Sequence, residues 1–284
     1  MSQRSPARPV IYPPLRPPPW DAPWAVAHRG ASATHPENTA AAFDAALAQG
    51  ADGMELDLQL SADGVGVVYH NKTLDHAGLP DTRVDQLPWA ELKRLDAGGW
   101  FAPEFKGEPL LTLDDLLDRY GGKTVLLLEI KARQAQQRRG DHLKLARIVA
   151  NGVARRGLEG SVVVLCFHLE TLMEVHRENP RLGCVWNLDR VPPEGLGADA
   201  GFVSGLSLDV SHLTGEGVAL GHGLGLPVMV WVCDTDQEVK KACDLGVEAV
   251  MSNKPGWLKE QLAKPKAGAR GGQPPPRQAR GDSP

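Results

Sequence analysis

Residues 55–70 read Glu55-Leu56-Asp57-Leu58-Gln59-Leu60-Ser61-Ala62-Asp63-Gly64-Val65-Gly66-Val67-Val68-Tyr69-His70, and the fold follows from how this stretch is parsed. Glu55, Asp57 and Gln59 alternate with Leu56, Leu58 and Leu60, a period of two that specifies a strand with one polar and one apolar face. Asp63-Gly64 suits a two-residue hairpin turn, so residues 65–70 are expected to return as a second strand. A turn at 63 and 64 sets Asp57 opposite His70 on one face, with Glu55 two residues away. Hard-cation ligands beside an imidazole suit metal-assisted acid–base chemistry. The competing reading is a hairpin with a wet polar face and a surface histidine.

Working outward, residues 24–27 form a short apolar run that ends in His28-Arg29-Gly30, and 40–49 are strongly helical with Gly50 as the stop. Strand, helix and strand in succession are the unit of a parallel sheet. Residues 71–110 break this rhythm, with one short helix at 88–95 and a Gly/Trp/Pro-rich stretch at 98–109, and are expected to be an inserted lobe. A helix at 112–120 follows, with Thr112 as N-cap. Residues 123–131, Lys-Thr-Val-Leu-Leu-Leu-Glu-Ile-Lys, form the near-continuous apolar run of a buried parallel strand. Glu129 and Lys131 share a face at its C-terminal end. An unpaired buried carboxylate is very costly, so Glu129 needs Lys131, a helix end, or a cation shared with Glu55 and Asp57.

Beyond this point, strands at 161–167, 183–188, 205–209, 227–233 and 247–251 alternate with helices at 141–156, 168–178, 214–220, 236–245 and 255–262. Eight main strands, near 25, 54, 124, 162, 183, 205, 228 and 247, specify an α/β fold of the (β/α)8 TIM-barrel type, with a small insertion after a hairpin that extends the second strand. The alternative is an open doubly wound sheet, which usually places a Gly-rich phosphate loop after its first strand; no G-x-G-x-x-G follows Ala27. In a barrel the C-terminal strand ends form the active face. That rule gathers His28, Arg29, Glu55, Asp57, His70, Glu129 and Lys131 on one rim.

The chain has 284 residues, 42% of them hydrophobic, enough for a sizeable core. A net charge of -4 argues against a nucleic-acid surface. No apolar run is long enough for a transmembrane segment. Residues 1–23 read as a disordered Pro/Arg-rich arm rather than a secretory signal, and 263–284 as a disordered basic tail, which leaves 24–262 as the folded domain. Cys166, Cys184, Cys233 and Cys243 form no C-x-x-C pair and read as small residues of a reducing, cytoplasmic protein. The oligomeric state is left open.

Several separated pieces, in this order and spacing, resemble the glycerophosphodiester phosphodiesterases. They are His28-Arg29-Gly30, Glu37-Asn38-Thr39, Glu55-Leu56-Asp57, Val67-Val68-Tyr69-His70 and Leu128-Glu129-Ile130-Lys131, with later echoes in Trp231-Val232-Cys233-Asp234 and Ser252-Asn253-Lys254-Pro255. The resemblance covers nearly the whole folded region; where the family usually has Asp after its second histidine, this chain has Asn71. It implies a divalent cation, Mg2+ or Ca2+, held by Glu55, Asp57 and Glu129. It also implies His28 and His70 as the acid–base pair, Arg29 and Lys131 on phosphate, and Trp231 beside the glycerol moiety. We expect His28 to be the acid and His70 the base, with Glu37 and Asn38 supporting the site from behind. The implied reaction yields sn-glycerol 3-phosphate and an alcohol from a small-molecule glycerophosphodiester. The alternatives are a lysophospholipase D-like phosphodiesterase and a catalytically weak phosphodiester-binding protein.

Overall fold

A computed structural model describes residues 23–132, 140–191, 195–197 and 200–264. The arm and tail expected at the two ends lie outside these residues, apart from Pro23, Ala263 and Lys264.

Among the described residues the chain opens with β1 (Trp24–His28), α1 (Ala40–Ala48), β2 (Gly53–Leu60) and β3 (Gly66–Val68), followed by one helical turn, α2 (Trp89–Leu92), and then α3 (Leu113–Tyr120). Regular alternation follows: β4 (Val125–Ile130), α4 (Asp141–Arg156), β5 (Val162–Cys166), α5 (Leu169–Glu178), β6 (Gly183–Leu188), β7 (Gly205–Asp209), α6 (Gly215–Gly223), β8 (Val228–Trp231), α7 (Asp236–Leu245), β9 (Ala249–Ser252) and α8 (Pro255–Leu262). The parallel strands run β1-β9-β8-β7-β6-β5-β4-β2, and β1 pairs with β2 to close the ring. This is the (β/α)8 barrel expected from the strand count. β3 lies antiparallel on β2, outside the ring.

Alternation along each strand separates two cores. Val26, Val125, Leu127, Val163, Leu165, Val185, Ala249 and Met251 pack together inside the ring. Their strand neighbours Leu126, Leu128, Val164, Cys166 and Cys184 belong to a second cluster, with Phe43 of α1, Leu116 of α3 and Val149 of α4. In β2, Met54, Leu56, Leu58 and Leu60 join this outer layer, each buried leucine contributing roughly 1.5–3 kcal/mol. Glu55, Asp57 and Gln59 therefore face inward. All eight residues of β2 are buried, so its polar face is not the wet surface of a simple hairpin. Thr39, Thr112 and Thr235 cap α1, α3 and α7 through their hydroxyl groups, as short polar side chains do at helix starts.

The hairpin register differs by one residue from the expected one. Leu58 pairs with Val68 and Gln59 with Val67, and the Tyr69 N–H donates to the Asp57 carbonyl at 2.9 Å, so Tyr69 rather than His70 stands opposite Asp57. The cause is the loop. Ser61 pairs with Val65, the Gly64 N–H returns to the Ser61 carbonyl, and Gly64 has φ +90°. This is a three-residue connection with a left-handed glycine instead of a two-residue turn. His70 still reaches the mouth because the chain leaves the strand after Val68.

The segment between β3 and α3 carries its own apolar cluster, with Tyr69, Leu74, Val84, Leu92 and Leu110. The helix expected at 88–95 is reduced to α2. Trp100 stacks on His76 with ring centroids 3.6 Å apart, and its Nε1 donates to the Ala97 carbonyl, so it anchors this lobe.

Candidate active site

The polar residues at the C-terminal ends of β1, β2 and β4 converge because of the register. Asp57 of β2 pairs with Glu129 of β4, and His28 of β1 with Glu55 of β2, so inward-facing groups on adjacent strands meet at one level. After His28 the chain turns through Arg29 (φ 57°) and Gly30 (φ 81°). A Cβ on Gly30 would stand 2.6 Å from the Ala42 backbone, so only glycine lets this loop rest on α1. Arg29 and Asn38 (φ 59°) both adopt the left-handed region, which is strained for residues with a Cβ. Both reach Asp57. Arg29 Nε lies 3.2 Å from Asp57 Oδ2. Asn38 Nδ2 donates to the same oxygen at 2.8 Å, while the Asp57 N–H donates to Asn38 Oδ1 at 3.2 Å.

Glu55, Asp57 and Glu129 are buried, and each offers an oxygen within 4.8 Å of the other two. Lys131 Nζ lies 2.7 Å from Asp57 Oδ1 and donates to Glu129 Oε1 at 2.5 Å. Burial pushes the Asp57 carboxyl up, but Lys131 and Arg29 outweigh it and hold the group well below the usual carboxylate range. Burial pulls Lys131 down, yet Asp57 and Glu129 keep it above its ordinary value. Glu129 is raised, chiefly by burial. Glu55 is pushed well above its ordinary value by burial and then by Asp57 and Glu129. Its Oε2 accepts the Arg29 backbone N–H at 3.1 Å and lies 3.9 Å from His28 Nε2. Three buried hard oxygen donors that repel one another fit a divalent cation.

The two imidazoles are each held through Nδ1. His28 Nδ1 lies 2.8 Å from Asn253 Oδ1, and His70 Nδ1 lies 2.8 Å from Asn71 Oδ1. Glu37 accepts from Arg29 Nη1 at 3.0 Å with one oxygen and sets the other 3.9 Å from His70 Nδ1. Gln59 Nε2 donates to the carbonyls of Tyr69 and Asn71 at 2.8 and 2.9 Å, which fixes the backbone on both sides of His70. Burial, then the charge of Arg29, push His28 down to about 4, and burial lowers His70 as well. Both shifts favour the neutral form of the rings.

These groups border a cavity of about 270 Å³. One wall is charged, with His28, Arg29, Glu55, His70, Glu129 and Lys131. The other is neutral, with Leu165, Phe167, Asn187, Ser207, Trp231 and Met251. Asp57 sits behind the charged wall, and Glu37 and Asn38 brace Arg29 and Asp57. Asn187 Nδ2 donates to Glu129 Oε2 at 3.3 Å. The buried atoms Asn187 Oδ1, Ser207 Oγ and Trp231 Nε1 have no hydrogen-bond partner among the described residues. Phe167, 38% exposed, meets Trp231 edge-on with centroids 5.8 Å apart.

The neutral wall, Trp231 apart, is not singled out by the sequence reading. The available signal is phase: Asn187 and Ser207 each lie two residues beyond Val185 and Gly205, at the C-terminal end of a barrel strand. His142 and His168 meet edge to face away from this cavity, His176 stacks on Phe202, and His222 pairs with Glu248.

Comparison with known proteins points the same way. The profile of the glycerophosphoryl diester phosphodiesterase family matches residues 28–257. A glycerophosphodiester phosphodiesterase of Caldanaerobacter subterraneus is 30% identical over 238 residues, 82% of this chain and 95% of that protein. The crystal structure of a glycerophosphodiester phosphodiesterase of Agrobacterium tumefaciens is similar with a TM-score of 0.70 at 28% identity, over 84% of this chain and 99% of that one. A phosphodiesterase of Oleispira antarctica, solved in complex with the product sn-glycerol-3-phosphate, gives a TM-score of 0.74 at 25% identity, over 86% and 98% of the two chains.

Proposed function

This chain belongs to the glycerophosphoryl diester phosphodiesterase family, and from that premise we propose that it hydrolyses glycerophosphodiesters to sn-glycerol 3-phosphate and an alcohol by metal-assisted acid–base catalysis. The observation that carries the proposal is the convergence of three buried carboxylates and two Nδ1-anchored imidazoles on one cavity.

Glu55, Asp57 and Glu129 would hold a divalent ion, whose contribution is Lewis-acid stabilisation of the phosphoryl oxygens. Arg29 offers forked donors and Lys131 a point charge to the phosphate. Because Arg29 is braced by Glu37 and Asp57, it meets the phosphate already oriented. One imidazole takes the proton of the attacking oxygen, from water or from the glycerol 2-hydroxyl, and the other protonates the departing alkoxide; attack by the 2-hydroxyl gives a cyclic phosphate first, which water then opens to sn-glycerol 3-phosphate. Such help is worth about 10²–10⁴ in rate. Both rings start neutral, and the anionic ester beside them favours the imidazolium form, so the acid gains its proton with substrate bound. Trp231 flanks the glycerol moiety from the neutral wall.

The test is turnover of glycerophosphocholine with and without EDTA. Loss of activity on chelation, restored by Mg2+ or Ca2+, supports the metal role, and full activity after chelation defeats it. Wild-type rates in both His28→Ala and His70→Ala defeat the acid–base role. Phe167 at the mouth offers an apolar surface that favours a second substrate class, so lysophosphatidylcholine belongs in the same panel. Binding without turnover across the panel would leave only a phosphodiester-binding protein.

A further inference from the structure

Both site histidines are held from behind by the same pair of side chains, recruited from unrelated parts of the barrel. Asn253, just after β9, places Oδ1 at 2.8 Å from His28 Nδ1. Its Nδ2 donates to Asp234 Oδ2 at 2.6 Å and its backbone N–H to Asp234 Oδ1 at 2.9 Å. Asn71, after β3, places Oδ1 at 2.8 Å from His70 Nδ1, and its Nδ2 donates to both oxygens of Asp75, at 2.9 and 3.1 Å. The aspartates are themselves fixed. Ser252 Oγ donates to Asp234 at 2.7 Å, and Tyr69 Oη donates to Asp75 at 3.2 Å.

The chemistry decides which way each amide points. A carboxylate only accepts, so the asparagine must turn its NH2 group toward the aspartate and its carbonyl oxygen toward the ring. A carbonyl oxygen also only accepts, so the ring nitrogen that faces it must carry the proton. In the neutral imidazole the lone pair then resides on Nε2.

We propose that Asp234–Asn253 and Asp75–Asn71 are positioning pairs that hold His28 and His70 as Nδ1–H tautomers, making Nε2 the reactive nitrogen of both. The Nδ1 protons stay in place through a turnover, and each ring trades a proton at one nitrogen only. A histidine in water prefers the opposite, Nε2–H form, so a ring released from its asparagine presents the wrong nitrogen to the substrate. The kinetic part of this inference rests on the proposed acid–base role; the tautomer part does not.

The test uses full-length protein labelled with 15N-histidine and long-range 1H–15N spectra above the titration range of the rings, with signals assigned through His28→Gln and His70→Gln. The expected result is the Nδ1–H pattern for both residues. Asn71→Leu shifts His70 toward the Nε2–H pattern, leaves His28 unchanged, and lowers kcat by roughly 10- to 100-fold with little change in KM. Asn71→Asp keeps an accepting oxygen at that position and retains the Nδ1–H pattern and most of kcat. Asn253→Leu gives the mirror result for His28; should it fail to fold, the wild-type spectrum and the half-buried Asn71 still decide. An Nε2–H pattern at either wild-type histidine overturns the proposal. So does Asn71→Leu with an unaltered His70 tautomer, or with a changed tautomer and an undiminished kcat. Because the tautomers are read without substrate, an enzyme inactive on glycerophosphodiesters would sink the proposed function and leave this inference standing or falling on its own spectra.

Discussion

The ends of β1, β2 and β4 and the ends of β5 to β8 face each other across one cavity, and they are built on opposite principles. On the first side nearly every polar group is committed. Asp57 alone engages Arg29, Asn38 and Lys131, and two residues adopt left-handed backbone to reach it. On the second side the residues that line the cavity carry no formal charge, and three buried polar atoms, of Asn187, Ser207 and Trp231, have no hydrogen-bond partner among the described residues. The difference shows which interactions are made before substrate arrives. A charged centre must be preorganised, since reorganising dipoles during reaction would forfeit its advantage. A wall that, as proposed, flanks the glycerol moiety keeps hydrogen-bonding capacity open for it, although each unsatisfied buried group costs about 1–3 kcal/mol.

The comparison breaks most visibly at the carboxylates. Glu55→Gln is expected to lower kcat/KM by on the order of 10³-fold, about 4 kcal/mol. In EDTA it should melt at a higher temperature than the wild type, because the mutation removes a buried charge repelled by Asp57 and Glu129. Conversely, Mg2+ or Ca2+ should raise the melting temperature of the wild type but hardly that of the variant; calorimetry with and without chelator reads both. Next in size, His28→Ala or His70→Ala should each reduce kcat by about 10²–10⁴-fold, with retained cation binding by titration calorimetry.

Effects on the neutral side are smaller and fall on binding. Trp231→Ala should reduce kcat/KM by roughly tenfold, mainly through KM. Ser207→Ala is expected to lower kcat/KM only a few-fold, about 1 kcal/mol, without lowering the melting temperature, since its hydroxyl has no hydrogen-bond partner among the described residues to lose. A clear drop in stability for Ser207→Ala would erase the distinction between the two walls.

The same contrast explains what the sequence discloses. The charged side is legible because its residues are charged in places where a buried strand should be apolar: Glu55 and Asp57 interrupt a leucine ladder, and Glu129 ends one. The eight strands are legible from period and spacing, and the parallel register then brings Asp57 beside Glu129. The hairpin register is less so, because Asp63-Gly64 supports either a two- or a three-residue loop, and the choice shifts every pairing by one. The neutral side is nearly silent. Asn187 and Ser207 stand in strands rich in Val, Leu and Cys, and their distinguishing property, a buried oxygen with no hydrogen-bond partner among the described residues, exists only in three dimensions. The support behind His28 is hidden for a different reason: Asn253 lies 225 residues away in the chain, and only closure of β1 against β9 joins them.

Gln59 has a consequence for the tempo of the enzyme. Its single NH2 group grips the backbone before and after His70, so the lobe that begins there is riveted to the barrel floor at the doorway itself. Opening that doorway would break two interior bonds at once. On this side the entrance is therefore held as a fixed threshold instead of a swinging gate, and under the proposed mechanism product would leave at a pace set by its own hold on the ion and on Arg29.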